Sequence, residues 1–175
     1  VVYGCAQPVG EQGGNIGRAA VLTADWAESV AGQQVHRFCA SALEAVNNAA
    51  AQVMTGAANA AVGGGVESMS RTYIGADTGA WSADPWCSYH NYFAPQGIGA
   101  DLIATLDGFS REDVDAYAAE SQRRAAAAQQ AGWFDKSIAP VTDVIGQTVL
   151  ARDEYLRPDT TTQSLAKLKP AFTGL

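Results

Sequence analysis

The sequence contains few of the residues from which disulfide frameworks and metal centres are built. Its 175 residues include three cysteines and two histidines, and no two cysteines form a C-x-x-C pair. An odd number of cysteines without such a pair argues against a disulfide framework or a thiolate zinc site, and it favours a reducing, cytoplasmic setting. Because H-E-x-x-H and carboxylate clusters are also missing, we expect no metal-dependent catalysis.

Two further absences limit the partners. No run of about 18 apolar residues could cross a bilayer, so no membrane insertion is expected. Lysine-rich runs are missing as well, and 11 Lys and Arg against 18 Asp and Glu give a formal net charge of −7. Nucleic-acid binding normally needs a basic surface, so a nucleic-acid partner is not expected. The composition, 47% hydrophobic and 17% charged, indicates a globular chain with a core.

Apolar strands and helices alternate over residues 1–70. Val1–Cys5 has the composition of a strand, and Asn15 suits the cap of the helix that follows. Gln33–Phe38 predicts a second strand, residues 40–56 a second helix, and Ala58–Val62 a third strand. This β-α-β-α-β order with short connections predicts an α/β fold whose sheet is parallel and covered by helices.

The character of the sequence changes after Ser70. Residues 71–95 carry glycine, proline and aromatic residues without a period, which indicates an irregular segment. A helix is predicted over Ile98–Leu106, and a longer one begins with a capping box at Ser110. We therefore predict two domains, residues 1–70 and residues 71–175.

Cys39 is the strongest candidate for chemistry because it lies where a predicted strand passes into a helix. A helix N-terminus can lower a cysteine pKa from about 8.5 to roughly 3.5–7.5, which makes a nucleophile plausible; a core cysteine is the alternative. His36 precedes it on the same strand, but alternation would place the two on opposite faces, so His36 is interpreted as a packing or hydrogen-bonding neighbour. His90 has no partner signal and is expected at the surface.

Two other patterns have competing interpretations. Gly63–Gly65 lacks the spacing of a phosphate loop, so close backbone packing at a strand end is preferred. The densest basic stretch is either solvated surface or an anion clamp for a phosphorylated cofactor, with Ser164 and the backbone near Ala171 as further donors. Its cations are Arg152, Arg157, Lys167 and Lys169.

Taken together, these residues resemble the thiolase family of acetyl-CoA acyltransferases. The resemblance rests on V-H-R-F-C-A-S-A-L-E-A-V (residues 35–46), G-G-V-E-S-M-S (64–70) and S-L-A-K-L-K-P-A-F (164–172). It covers essentially the whole chain and is closest to bacterial degradative 3-ketoacyl-CoA thiolases. A ketosynthase-like condensing enzyme shares the fold, but the second and third motifs favour a thiolase.

The resemblance implies a function for each motif. Cys39 would be the nucleophile that takes the acyl group from an acyl-CoA substrate, with its backbone N–H stabilising the oxyanion. Arg157 would contact the adenine-phosphate end of coenzyme A, and Ser164, Ala171 and Phe172 would line the pantetheine tunnel. Residues 71–175 would form the inserted loop domain, which covers the cofactor and joins subunits into a homo-oligomer, a dimer or tetramer.

Several positions depart from the family pattern. Ala42 replaces the usual glycine, His36 stands where asparagine is common, and Pro95-Gln96-Gly97 replaces a His-Met-Gly segment. The N-E-A-F, G-H-P and C-x-G-G-G motifs, which carry the remaining catalytic groups, do not occur. We therefore expect an N-terminal half of a thiolase, inactive alone, with a non-catalytic CoA-binding or assembly module as the alternative.

Overall fold

The computed structural model describes residues 1–172, which form two compact units, Val1–Phe93 and the residues from Ala94 onward. The first unit contains, in chain order, β1 (Val2–Gly4), α1 (Ile16–Thr23), β2 (Gln33–Val35), α2 (Ser41–Met54), β3 (Gly63–Gly65), α3 (Ala80–Ala83) and α4 (Pro85–His90). The domain boundary placed after residue 70 stays a prediction.

The three strands of the first unit form a parallel sheet in the order β2-β1-β3. Val2 is paired with Gln33 on one side and with Gly63 on the other. Helix α1 connects β1 to β2, and α2 connects β2 to β3. The predicted β-α-β-α-β order and the parallel sheet are therefore confirmed.

The core of this unit lies where α2 packs on the sheet. Val2, Ala45 and Ala49 are buried together, with Val35 and Ala61 packed against them. A Cβ at Gly63 would lie 2.6 Å from the Val46 Cα, and one at Gly65 would lie 2.6 Å from the Ala42 Cβ. The glycine-rich strand thus lets the helix backbone approach closely, as its interpretation as a packing element predicted.

Two predicted strands are wrong in extent. The third strand is Gly63–Gly65 and not Ala58–Val62, and Gly63 and Gly65 lie where α2 leaves no room for a Cβ. The second strand ends at Val35 instead of continuing to Phe38, whose φ of 49° turns the chain. Residues 71–95 are also more regular than predicted, since α3 and α4 form there; the Asp84 carboxylate caps α4 by accepting from the N–H groups of Trp86 and Cys87.

The second unit contains α5 (Gln96–Asp107), α6 (Arg111–Gln130), β4 (Val141–Thr142), β5 (Thr148–Leu150) and α7 (Thr162–Leu165). Strands β4 and β5 form an antiparallel pair. The capping box at Ser110 is confirmed, because its hydroxyl accepts from the Asp113 N–H at 3.1 Å and the Asp113 carboxylate accepts from the Ser110 N–H at 2.9 Å.

Over residues 1–172, none of the helices has both the length and the hydropathy that crossing a membrane requires.

Candidate active site

Cys39 lies in the turn between β2 and α2, directly before the residue that caps the helix. Ala40 is the N-cap and α2 begins at Ser41. Cys39 is exposed, whereas Cys5 is buried and Cys87 is half-buried. The N–H groups of Ala40 and Ser41 donate to the carbonyls of Arg37 and Phe38 within the turn, and the N-terminus of a helix as a whole favours negative charge. Cys39 is therefore the thiol most open to a dissolved reagent, at the helix end that favours an anion.

The turn before Cys39 has an unusual backbone. Phe38 has a φ of 49°, in the left-handed region. That conformation costs a residue other than glycine about 1–3 kcal/mol, and it persists only where the surroundings hold it. The Phe38 carbonyl accepts from the Ser41 hydroxyl at 2.6 Å and from the Ser41 N–H at 3.0 Å. The same hydroxyl accepts from the Arg37 N–H at 2.8 Å, so the buried Ser41 side chain holds the turn from inside.

The Phe38 ring belongs to a chain of aromatic contacts. Its centroid lies 5.5 Å from that of Trp81, which lies 6.0 Å from that of Phe93. The His36 ring meets Phe38 edge-on at 5.0 Å, and its Nε2 lies 3.2 Å from the Asp77 carboxylate. His36 is thus a packing and hydrogen-bonding neighbour, as predicted. Two elements far apart in sequence, the turn at Phe38 and the segment of Asp77 to Phe93, contact each other here.

A second polar network lies around Glu67, within the G-G-V-E-S-M-S motif. Its carboxylate accepts from the N–H groups of Ala6 and Gln7 at 2.7 and 3.1 Å. Gln12, which is 4% exposed, donates to the same carboxylate and accepts from the Ser68 N–H at 2.8 Å. The loop after β1 and the loop after β3 are therefore tied together. Sequence reasoning identified the motif but missed Gln12, because nothing in its local sequence signals a buried amide.

Cys5 lies beside this network but has the opposite character to Cys39. Its Sγ lies 3.8 Å from the Glu67 carboxylate and the residue is 1% exposed. Burial is the largest influence and raises the pKa of the Cys5 thiol; a backbone hydrogen bond from Gln7 lowers it by less, and the charge and hydrogen bond of Glu67 raise it further. Cys5 is accordingly a buried, protonated thiol and not a nucleophile.

The four residues predicted to bind coenzyme A lie in the second unit and are exposed. Arg157 donates its backbone N–H to the Gln122 side chain at 2.9 Å. The Ser164 hydroxyl accepts from the Thr161 N–H at 3.0 Å, which completes the capping box of α7, and it donates to the Thr161 carbonyl at 2.8 Å. Phe172 lies over Gly97, where an added Cβ would be 2.5 Å from the ring. Ala171, next to it, is exposed, so its backbone is open to solvent.

Helix α6 contacts the segment from Arg157 to Leu168 at two places. Its Arg111 guanidinium donates to the carbonyls of Leu165 and Leu168 at 2.6 and 3.2 Å. Asp115, one turn further along α6, accepts from Arg111 Nε at 2.9 Å and orients it. Gln122 supplies the second contact, at Arg157. The sequence offered no signal for these contacts, since they join residues 35 to 57 positions apart.

Two open grooves lie beside the β4–β5 hairpin, with volumes of about 560 and 500 Å³. Ile138 and Arg152 line both grooves. The predicted coenzyme A residues are not among the lining residues of either groove, so these concavities do not correspond to the predicted tunnel.

The described residues contain no group of three or more His, Cys, Asp and Glu side chains placed to hold a metal ion. His90 is exposed, with its Nδ1 3.1 Å from the Trp86 carbonyl and its ring stacked on Trp86 at 4.0 Å.

Sequence comparisons give the family. The family described as "Thiolase, N-terminal domain" matches residues 1–174. A 3-ketoacyl-CoA thiolase of Psychrobacter sp. (strain PRwf-1) is 40% identical over 98% of this chain and 45% of its own length. A beta-ketoadipyl-CoA thiolase of Pseudomonas putida is 38% identical over 97% of this chain and 47% of its own length.

A 3-ketoacyl-CoA thiolase of Cronobacter sakazakii (strain ATCC BAA-894) is 40% identical over 98% of this chain. The chain spans about half the length of the curated relatives that it matches, 45% of this one. With a parallel β-α-β-α-β unit, an exposed cysteine before α2 and a family match over nearly every residue, this chain belongs to the thiolase family.

Proposed function

We propose that the protein to which this chain contributes is an acyltransferase that cleaves 3-ketoacyl-CoA with coenzyme A, and that Cys39 carries the acyl group. The observation that carries the proposal is the position of Cys39, an exposed thiol at the N-terminus of α2. Relatives named as 3-ketoacyl-CoA and beta-ketoadipyl-CoA thiolases support the reaction class.

The reaction has two halves that balance. In the first, the Cys39 sulfur attacks the 3-keto carbon and the bond between carbons 2 and 3 breaks. The electron pair of that bond takes up a proton on carbon 2, so acetyl-CoA leaves and a thioester remains on Cys39. In the second, the thiol of another coenzyme A attacks this thioester; its proton is released, the shortened acyl-CoA leaves and the Cys39 sulfur is regenerated. The reverse direction is a Claisen condensation.

Two features of the chain suit the first half. The helix N-terminus stabilises negative charge on the sulfur and on the carbonyl oxygen of the adduct. The exposed turn leaves room for an acyl chain to reach Cys39. Arg157, Ser164, Ala171 and Phe172 are proposed to bind coenzyme A, with Lys167 and Lys169 as exposed cations beside them for its phosphates.

The proposal also covers the location, the assembly and the metabolic role of the protein. The activity belongs to the complete protein, which we place in the cytoplasm as a homo-oligomer acting in fatty-acid or related lipid breakdown. We also propose that this chain, which covers 45% of the length of one relative, has no thiolase activity by itself.

The test is a thiolysis assay on the protein as its gene encodes it, combined with mass spectrometry of the intact protein. Incubation with a 3-ketoacyl-CoA and no free coenzyme A should add one acyl group to Cys39. Cys39→Ala should abolish both the adduct and turnover, by a factor of about 10³ or more, because the covalent intermediate can no longer form.

Cys87→Ala is the matched control and should leave both the acylation of Cys39 and the rate of thiolysis unchanged. Turnover that survives Cys39→Ala would contradict the proposal. Binding of coenzyme A without any acyl transfer would favour a non-catalytic module instead.

A further inference from the structure

The left-handed backbone at Phe38 must be stabilised by its surroundings, because this conformation is unfavourable for a phenylalanine by itself. Its φ is 49°, and residues held in such regions cluster where strain serves a function. Here the strained residue directly precedes Cys39. The turn must therefore be held by contacts that outweigh the strain, and Phe38 is the residue that joins those contacts to Cys39.

The hydrogen bonds of Ser41 hold the backbone of the turn but do not contact the Phe38 ring. The ring is held from the other side, by Trp81 at 5.5 Å and by His36 edge-on at 5.0 Å. Trp81 is braced in turn by Phe93 at 6.0 Å. Aromatic pairs with centroids 4.5–7 Å apart are attractive beyond the area that they bury.

His36 is fixed at its far end. Its Nε2 lies 3.2 Å from the Asp77 carboxylate, and the two side chains are 30% and 25% exposed. The Asp77 backbone N–H donates to the Gln7 side chain at 3.2 Å. The segment that carries Asp77, Trp81 and Phe93 is thus anchored to the β-α-β-α-β part of the unit at more than one point.

We propose that these side chains form an aromatic brace, made of Phe38, Trp81, Phe93 and His36 with Asp77 behind it, that positions Cys39 for acyl transfer. The brace holds Phe38 in its left-handed conformation and so keeps the Cys39 thiol at the N-terminus of α2. Trp81 and Phe93 are positioning residues that act through Phe38. This inference rests on the proposed role of Cys39.

The three cysteines allow the test to be made on the full chain. Cys39 is the exposed target, Cys87 is a half-buried thiol of α4, and the buried Cys5 reports any general loosening of the fold. The measurement is the rate of iodoacetamide labelling of each thiol, followed by peptide mass spectrometry. In the unaltered chain Cys39 should react fastest.

Trp81→Ala should slow the labelling of Cys39 about fivefold to tenfold, the size expected when a strained turn of this kind relaxes. Cys5 should stay protected, which separates lost positioning from unfolding. Trp81→Phe keeps a ring against Phe38 and should restore most of the rate. Trp86→Ala is the matched control, because Trp86 is 73% exposed and stacks on His90, outside the brace.

A second pair of variants tests the route through Phe38. Glycine accepts a positive φ without strain, so Phe38→Gly should keep the turn and most of the Cys39 rate. In the Phe38→Gly background, Trp81→Ala should not change the labelling rate of Cys39 any further, because the Phe38 ring through which Trp81 acts has been removed. The brace would be overturned if Cys39 were labelled at the same rate in Trp81→Ala and in Trp86→Ala. It would also be overturned if Trp81→Ala slowed the labelling of Cys39 as much in the Phe38→Gly background as in the unaltered chain.

The two proposals fail in different ways. If acyl-CoA never acylates Cys39 in the unaltered protein, the proposed function is wrong whatever iodoacetamide shows. If acylation occurs but Trp81→Ala leaves its rate equal to that of Trp86→Ala, only the brace is wrong.

Discussion

The environments of Cys5 and Cys39 differ although both follow β-strands of the same sheet. Cys5 is enclosed by the loops that Glu67 and Gln12 tie together, whereas Cys39 stands on an exposed turn. Burial stabilises the neutral thiol of Cys5, whereas Cys39 is open to solvent beside the N-terminus of α2. At the scale of single residues, the fold therefore places one thiol in the core and another at the surface.

The raised pKa of Cys5 makes a prediction about pH. The unfolded chain loses this proton near the ordinary cysteine pKa of about 8.5, and the folded chain loses it only at higher pH. The stability contribution is therefore complete below that pH and is lost as the pH rises through the folded pKa. We expect the free energy of unfolding, measured with urea, to fall more steeply between about pH 8 and 10 in the wild type than in Cys5→Ala.

Parallel slopes for the two proteins would contradict this assignment. Cys5→Ala also removes buried volume, so its stability should be lower at every pH. Only the difference in slope reports the titration of the thiol.

At the scale of elements, the packing of α2 on β3 depends on the absence of side chains on one face of the strand. A Cβ at Gly63 would lie 2.6 Å from Val46 Cα and 2.8 Å from the Ala45 carbonyl oxygen, so backbone would have to move. Gly64 faces the other way, and nothing lies within 4 Å of a Cβ there. Because side chains on a strand point alternately to its two faces, α2 requires glycine at position 63 but not at position 64.

Gly63→Ala should therefore destabilise the chain by about 1–3 kcal/mol, as overpacking does in other cores. Gly64→Ala, the matched control, should leave stability unchanged or raise it by up to about 1 kcal/mol, because alanine reduces the entropy of the unfolded chain. Urea unfolding measures both. Equal effects of the two substitutions would show that α2 does not rest on Gly63.

The segment predicted to bind coenzyme A is also held by contacts with another element, helix α6. Arg111 donates to the Leu165 and Leu168 carbonyls, and Asp115 holds Arg111 in place. We expect Arg111→Ala to speed hydrogen exchange over residues 162–170, because two carbonyls at the end of α7 lose their charged donor.

Arg123→Ala is the matched control on the same helix, since Arg123 is paired with Glu120 at 2.6 Å and contacts no carbonyl of this segment. It should leave the exchange of residues 162–170 unchanged. If both variants accelerate exchange equally, the effect comes from α6 as a whole and not from the Arg111 contact.

At the scale of the molecule, the described residues leave large apolar side chains exposed on α2, among them Leu43 at 64% and Met54 at 86%. The relatives are about twice as long as this chain, which covers 45% of one of them. In the proposed function, this chain supplies Cys39 as the acyl acceptor and the segment from Arg157 to Phe172 for coenzyme A.

Local signals in the sequence sufficed for the order of elements over residues 1–70 and for the starts of α1 and α6. The capping residues Asn15 and Ser110 act through hydrogen bonds within three positions, so they could be identified without tertiary structure. Cys39 could be singled out because the change from strand to helix composition occurs beside it. The family followed from motifs that are contiguous in the sequence.

Contacts between distant segments decided the rest. The strand end at Val35 and the turn at Phe38 depend on Ser41 and on Trp81, and the glycine strand depends on the close approach of α2. The tether from Arg111 to Leu168 joins residues 57 positions apart. Such contacts leave no periodic or local pattern, because their energy comes from packing between elements. The sequence by itself thus determined the family and the place of Cys39 before a helix, and the tertiary structure decided how the turn that carries Cys39 is held.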